Sequence, residues 1–151
     1  MKLVLALFLG LTVAAQSETL GIENHNPGNI SADSPKELRY WPGAIGIDPW
    51  RHIKFRTSQD GAEALLKNLR LYRSKHHLHT IRQIIGRWVW HGAQKKEREA
   101  YIAFVDSRLN VNSEMSLDLS DKNTQLQIAR AIARYECGQE YYSETWWKHL
   151  P

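Results

Sequence analysis

The sequence predicts a small, mostly α domain with a loop-rich N-terminal part. After residue 57, apolar residues recur at spacings of three and four, whereas residues 18–55 are rich in Gly, Pro and Asn and lack that period. With 151 residues, the chain is long enough for one sizeable core. A single Cys excludes a disulfide scaffold and multi-cysteine zinc sites.

The first fifteen residues are typical of a secretory signal peptide. Lys2 supplies a charge, residues 3–15 form an uncharged run, and small residues end at Ala15 before the polar Gln16. The run is shorter than the ~20 apolar residues of a transmembrane helix. We expect cleavage after Ala15, a secreted or periplasmic mature domain of residues 16–151, and no integral membrane segment in it. An uncleaved anchor or a buried first helix is the alternative.

Turn-forming residues dominate the N-terminal part of the mature chain. We expect loops there, with a short hairpin around residues 45–55. The turn signals are Asn26-Pro27-Gly28-Asn29, Trp41-Pro42-Gly43 and Asp48-Pro49.

Four helices and a short closing segment follow in order. Ser58 and Asp60 are candidate N-caps of the first helix, Thr80 with Gln83 forms a capping box for the second, and Asp121 caps the fourth. The closing segment contains Trp146-Trp147. The apolar faces contain Ala62, Leu65, Leu66, Leu69 and Tyr72; then Ile81, Ile84, Ile85 and Trp88; then Tyr101, Phe104, Val105 and Leu109; and last Leu126, Ala129, Ile132 and Ala133.

Glu136 continues the apolar face of the fourth predicted helix. Burial and the negative end of the helix dipole both disfavour a carboxylate there, so we expect a raised pKa for Glu136. A carboxylic acid that keeps its proton near neutral pH suits general-acid cleavage of a glycosidic bond. Cys137-Gly138 allows a sharp turn directly after it. The alternative is a glutamate at a frayed helix end, paired with Arg134 or Arg130.

Glu23 is a second candidate carboxylate, and it precedes an asparagine-rich turn. The side chains of Asn24, Asn26 and Asn29 suit sugar hydroxyls and N-acetyl groups, although an Asn-Pro-Gly turn is often only structural. Glu23 is alternatively an ordinary loop carboxylate.

The histidines and the basic clusters are not expected to form a metal site or a nucleic-acid site. His76, His77 and His79 have no acidic or cysteine ligand nearby in the sequence, so we expect a solvated helix end and no metal site. The net charge of +4 suits an anionic partner, which includes nucleic acid, a membrane surface and a cell wall, and does not choose among them. Basic clusters at Arg70–Lys75 and Lys95–Arg98 are expected to be solvated, and no nucleic-acid partner is expected.

The asparagine-rich turn and the helices together resemble phage virion-associated and prophage lytic proteins, which look like members of the lysozyme-like lytic transglycosylase group. The resemblance covers about residues 21–138. Its elements, in order, are Asn24-His25-Asn26-Pro27-Gly28-Asn29-Ile30, Trp41-Pro42-Gly43, Phe55 to Gly61, Leu69 to Tyr72, Thr80-Ile81, Ile84-Ile85, Arg87-Trp88, Tyr101-Ile102 and Ala131 to Gly138.

The resemblance implies a peptidoglycan-cleaving enzyme with a lysozyme-like fold. Glu136-Cys137-Gly138 resembles the helix-ending Glu-Ser-Gly that carries the acid of lytic transglycosylases. Glu136 is then the acid and Glu23 the candidate second carboxylate. The asparagine-rich box is then expected to hold the glycan. Trp41, Trp88 and Tyr101 are the further candidate substrate-binding residues.

The sequence therefore predicts an exported lytic transglycosylase or muramidase that needs no cofactor and acts as a monomer on peptidoglycan. A hydrolase requires a second carboxylate at a suitable distance, whereas a transglycosylase does not. The alternative is a non-catalytic wall-binding or virion structural module of the same fold.

Overall fold

The computed structural model describes residues 19–89 and 93–151. The predicted signal peptide, residues 1–15, lies outside the described residues. The described chain is mostly α-helical with one small two-stranded sheet, which confirms the predicted fold class. None of the helices in these two ranges is long and apolar enough to cross a membrane.

Six α-helices, one 3-10 helix and one hairpin make up the described part of the chain. The hairpin confirms the strand pair expected near residues 45–55, whereas the first helix and the 3-10 helix were not predicted. The elements are α1 (Leu20–Glu23), the 3-10 helix (Pro35–Tyr40), β1 (Ala44–Ile47), β2 (Ile53–Phe55), α2 (Ser58–His76), α3 (Ile81–Trp88), α4 (Lys95–Leu109), α5 (Lys122–Cys137) and α6 (Glu144–Lys148).

Helix starts follow the capping rules, with one correction. Thr57 is the N-cap of α2, in place of the expected Ser58 or Asp60. Its hydroxyl accepts from the Asp60 amide, and the Asp60 carboxylate accepts from the Thr57 amide, so Asp60 acts three residues inside the helix. The capping box at the start of α3 and the Asp121 cap of α5 are confirmed.

The hairpin fastens the asparagine-rich loop to the body of the domain. β1 and β2 are antiparallel, and Ile53 and Phe55 point into the core while Lys54 is exposed. The backbone amides of Ile53 and Phe55 donate to the carbonyls of Ile30 and Asn24, at 2.9 Å in both cases. The loop is therefore held on the side of the domain where β2 lies.

Helix α5 is the centre of the core. It packs against α1, α2, α4 and α6, and it buries residues around most of its circumference, as a central helix must. Its fully buried side chains include Ile128, Ala129, Ile132 and Ala133, each 0% exposed. The last turn of α5 consequently ends against the loop that precedes the hairpin.

Candidate functional site

Glu136 lies in the last turn of α5, one residue before the helix ends. Gly138 follows in the left-handed conformation with φ 69°, a value that favours glycine, and the chain turns there as expected. Glu136 is half-buried and continues the side of α5 that Ile132 and Ala129 bury. The helix thus delivers a carboxyl group to the edge of the core.

Two neutral donors hold the Glu136 carboxyl group. The Asn29 side-chain amide donates to Oε2 at 3.0 Å, and the Tyr101 hydroxyl donates to Oε1 at 2.9 Å. The arginines considered as ion-pair partners are engaged elsewhere: Arg130 lies 3.1 Å from Glu144, and Arg134 lies 3.6 Å from Glu140. Within residues 19–89 and 93–151, the contacts of Glu136 therefore do not support the alternative in which it forms an ion pair with Arg134 or Arg130.

Burial raises the pKa of Glu136 above its ordinary value. The hydrogen bonds from Asn29 and Tyr101, the charge of His52 and the Trp88 indole lower this pKa, but they only partly offset the loss of solvation. Glu136 therefore holds its proton to a higher pH than an ordinary glutamate does. That property is the one a general acid requires.

Replacing Tyr101 with Phe is expected to raise the pKa of Glu136 further. The substitution removes a hydrogen bond that stabilises the carboxylate and leaves the aromatic ring in place. Carbon-13 NMR titration of the labelled glutamate carboxyl groups measures the shift. Tyr135→Phe is the matched control, because Tyr135 stacks on Tyr101 at a ring distance of 3.7 Å. An unchanged Glu136 pKa in Tyr101→Phe contradicts the assigned role of this hydroxyl.

Asn29 reaches Glu136 because the loop makes a tight left-handed turn. Asn29 adopts φ 46°, a conformation that asparagine tolerates better than most residues. The backbone amide of Asn29 donates to the Asn26 carbonyl at 3.0 Å, which closes the turn over Pro27-Gly28. The Asn29 Oδ1 atom is buried without a hydrogen-bond partner in the described part of the chain. The loop thus directs the side-chain amide of Asn29 toward the Glu136 carboxyl group.

The other two asparagines of the box have structural roles. Asn26 is 0% exposed, and its side chain donates to the carbonyls of Ile30 and Ile53 and accepts from the Ile30 amide, all at 2.9 Å. Asn24 is 4% exposed and donates to Asp48 at 2.7 Å. Both were expected to bind substrate, but burial and internal bonds leave them almost no free surface for a sugar.

A groove of about 570 Å³ runs beside the Glu136 site. Asn29 and Trp88 line it, and both influence the Glu136 carboxyl group. The Trp88 ring covers Gly28 so closely that a Cβ atom there would lie 2.8 Å from it, so the turn needs glycine at this position. The further lining residues are Ile30, Ser31, Asp33, Trp41, Asn68, Leu71, Tyr72, Lys75, His76 and Arg87.

The three aromatic candidates occupy different places. Trp41 and Trp88 are half-buried and both line the groove, where a sugar ring can pack on them. The Lys67 ammonium lies 5.4 Å from the centre of the Trp41 ring. Tyr101 is 3% exposed and its hydroxyl donates to Glu136. It therefore orients the Glu136 carboxyl group and presents almost no surface to a ligand.

The structure does not bring Glu23 together with Glu136. Glu23 is the last residue of α1 and is exposed, whereas the next residue, Asn24, turns into the core. Glu23 lines a separate groove of about 420 Å³ with His25, Ser58 and Tyr142 among its walls. The proposed pairing of two catalytic glutamates in one cleft therefore lacks support in the geometry.

A polar pair that was not predicted, Asp48 and His52, lies beside the site. Asp48 is 7% exposed, and its Oδ2 lies 3.2 Å from His52 Nδ1. Burial raises the pKa of Asp48, but hydrogen bonds from the His52 backbone, Asn24 and the His52 side chain lower it more. His52 also forms an isolated antiparallel β-bridge with Ser31, and the charge of His52 lowers the pKa of Glu136. Asp48-Pro49 signalled only a turn, so nothing in the sequence marked this contact.

The histidines near the end of α2 have ordinary surroundings. His77 ends the helix in the left-handed conformation with φ 54°, and the Nε2 atom of His76 lies 3.2 Å from an Arg87 nitrogen. In the described ranges, no three His, Cys, Asp or Glu side chains are grouped so that they could hold a metal ion.

The chain is similar to a phage protein. No protein-family model matches the chain. The chain is 31% identical over 125 residues to Protein P5 of Pseudoalteromonas phage PM2, and this similarity covers 82% of the chain and 74% of that protein. Identity of this extent indicates common descent, and it agrees with the expected likeness to phage proteins.

Proposed function

We propose that this chain, which belongs to the family of Protein P5 of Pseudoalteromonas phage PM2, is an exported enzyme that cleaves the glycan strand of peptidoglycan. The name of the relative states no activity. The observation that carries the proposal is the half-buried Glu136 carboxyl group, with its raised pKa and its two neutral donors, beside a groove.

The proposed mechanism begins with proton donation by Glu136. The carboxylic acid protonates the oxygen that bridges two amino sugars, so the glycosidic bond breaks with a neutral leaving group. The Glu136 carboxylate then takes a proton from a hydroxyl of the substrate, and that hydroxyl attacks the anomeric carbon. Asn29 and Tyr101 stabilise the carboxylate that forms between the two steps.

A transglycosylase fits the groove better than a hydrolase does. A hydrolase needs a second carboxylate to activate water or to attack the sugar. The described carboxylate that lines the groove is Asp33, which is exposed and forms an ion pair with Arg51 at 2.8 Å. Glu23 lines the other groove. A single-carboxylate mechanism, in which the substrate supplies the nucleophile, therefore agrees best with this arrangement.

The products of digestion test the proposal. Purified peptidoglycan is incubated with the mature protein, and the released muropeptides are analysed by mass spectrometry. We expect products with anhydro ends, since attack by a hydroxyl of the same sugar closes a ring at the anomeric carbon and no water is added. Products with reducing ends would identify the protein as a hydrolase and not as a transglycosylase. The absence of any release would remove the enzymatic proposal.

One observation favours a second candidate, a non-catalytic wall-binding or virion structural module of the same fold. Both Glu136 oxygens already have hydrogen-bond donors inside the protein, an arrangement that also suits a purely structural carboxyl group. Such a module would sediment with insoluble peptidoglycan without releasing any fragment. The same digestion, analysed for bound protein as well as for products, separates the two candidates.

A further inference from the structure

One end of the groove is cationic. Lys75 comes from the last turn of α2, and Arg87 comes from the last turn of α3. The acidic side chain that lines the groove in the described chain, Asp33, is compensated by Arg51 at 2.8 Å. The lining therefore has an excess of positive charge, which is concentrated where the two helices end.

Arg87 contacts an aromatic ring and a histidine but no carboxylate in the described part of the chain. It is exposed, and its guanidinium carbon lies 5.7 Å from the centre of the Tyr72 ring, close enough for a cation–π contact. Its Nη2 atom lies 3.2 Å from His76 Nε2. Among the described residues, no carboxylate forms an ion pair with Arg87, unlike Arg82, which contacts Glu99 at 2.8 Å.

Two aromatic side chains, Tyr72 and Trp88, lie between the cationic end and Glu136. Tyr72 packs edge-on against Trp88 with ring centres 5.9 Å apart, and Trp88 acts on the Glu136 pKa. Along α2, the lining residues Asn68 and Lys75 are seven positions apart, so the groove wall extends for roughly 10 Å at the rise of an α-helix. A strand cut at Glu136 would therefore place neighbouring substituents at this end.

We propose that Arg87, with Lys75, binds a carboxylate on the lactyl arm of a muramic acid residue next to the cleaved bond. This inference rests on the proposed function, since it assumes a glycan strand in the groove. Guanidinium groups bind carboxylates through two parallel hydrogen bonds, and the substrate is an alternating polymer in which every second sugar carries this arm. The carboxylate comes either from the stem peptide or from a lactyl group whose peptide has been removed.

Binding measurements with three soluble ligands of equal length test the inference. The ligands are peptide-bearing strands, strands freed of their peptides, and neutral N-acetylglucosamine oligomers. Calorimetry is carried out in the Glu136→Gln background, so that cleavage does not interfere. We expect Kd for at least one anionic strand to be about tenfold lower than for the neutral oligomer, and the comparison of the two anionic strands identifies the source of the carboxylate.

Arg87→Gln is expected to reduce this tenfold preference to less than threefold. Arg70→Gln is the matched control, because it removes the same charge from an exposed position of α2 outside the groove lining, and it should keep the preference. Equal affinity for all three ligands, or an equal loss in the Arg70 variant, overturns the inference. Selective binding without any cleavage by the wild-type protein would refute the proposed enzyme and leave this inference intact.

Discussion

Glu136→Gln is expected to lower wall-lytic activity by a factor of about 10² or more, the usual scale of general acid–base catalysis. Glutamine keeps the size of the side chain and can still accept the hydrogen bond from Tyr101, but it carries no acidic proton. The release of soluble muropeptides per unit time, measured on purified peptidoglycan, gives the loss. Such a loss in a folded variant assigns the chemistry to this carboxyl group.

The stability of the same variant provides an independent readout. The folded-state pKa of Glu136 lies above its ordinary value of 4.5, so its contribution to stability is fully present below that pH and is lost as the pH rises through the folded-state value. Relative to the wild type, Glu136→Gln should therefore gain melting temperature at neutral pH. The gain should shrink as the pH falls through the folded-state pKa of Glu136 and should be absent below 4.5, the ordinary value.

Glu23→Gln is the matched control for activity. Glu23 is exposed in the other groove, so its substitution should not change lysis. If Glu23→Gln abolishes lysis while Glu136→Gln remains active, the acid is misassigned. If both variants are as active as the wild type, neither glutamate takes part in the chemistry.

The sequence could predict a buried carboxyl group at Glu136 because this residue breaks a pattern. An apolar helical face that runs through Ala129 and Ile132 into a glutamate has to bury a carboxyl group, and the raised pKa follows from that burial alone. The helical core was predictable for the same reason, since its spacing leaves few ways to bury the apolar residues. The capping boxes required only local geometry, although Thr57 competed with its neighbours Ser58 and Asp60.

The roles within the asparagine-rich box could not be predicted from the residue types. An asparagine amide that fits a sugar also fits two backbone carbonyls, and only the tertiary structure decides between them. Asn26 is placed against β2, which is 27 residues away in the sequence, whereas Asn29 is turned toward α5. The same long-range packing explains why Glu23 points to solvent while the adjacent Asn24 points to the core.

Asn26→Ala is expected to destabilise the domain by about 3 kcal/mol and to lower its melting temperature by roughly 6–12 °C. The substitution removes three buried hydrogen bonds, and it leaves the Ile30 amide and the Ile53 carbonyl without their side-chain partner. The exposed Asn123→Ala, in the first turn of α5, is the control and should melt within 2 °C of the wild type, roughly the effect of a neutral surface change. Thermal unfolding followed by circular dichroism gives both values. A sugar-binding role for Asn26 predicts the opposite pattern: an unchanged melting temperature and a raised KM for glycan strands.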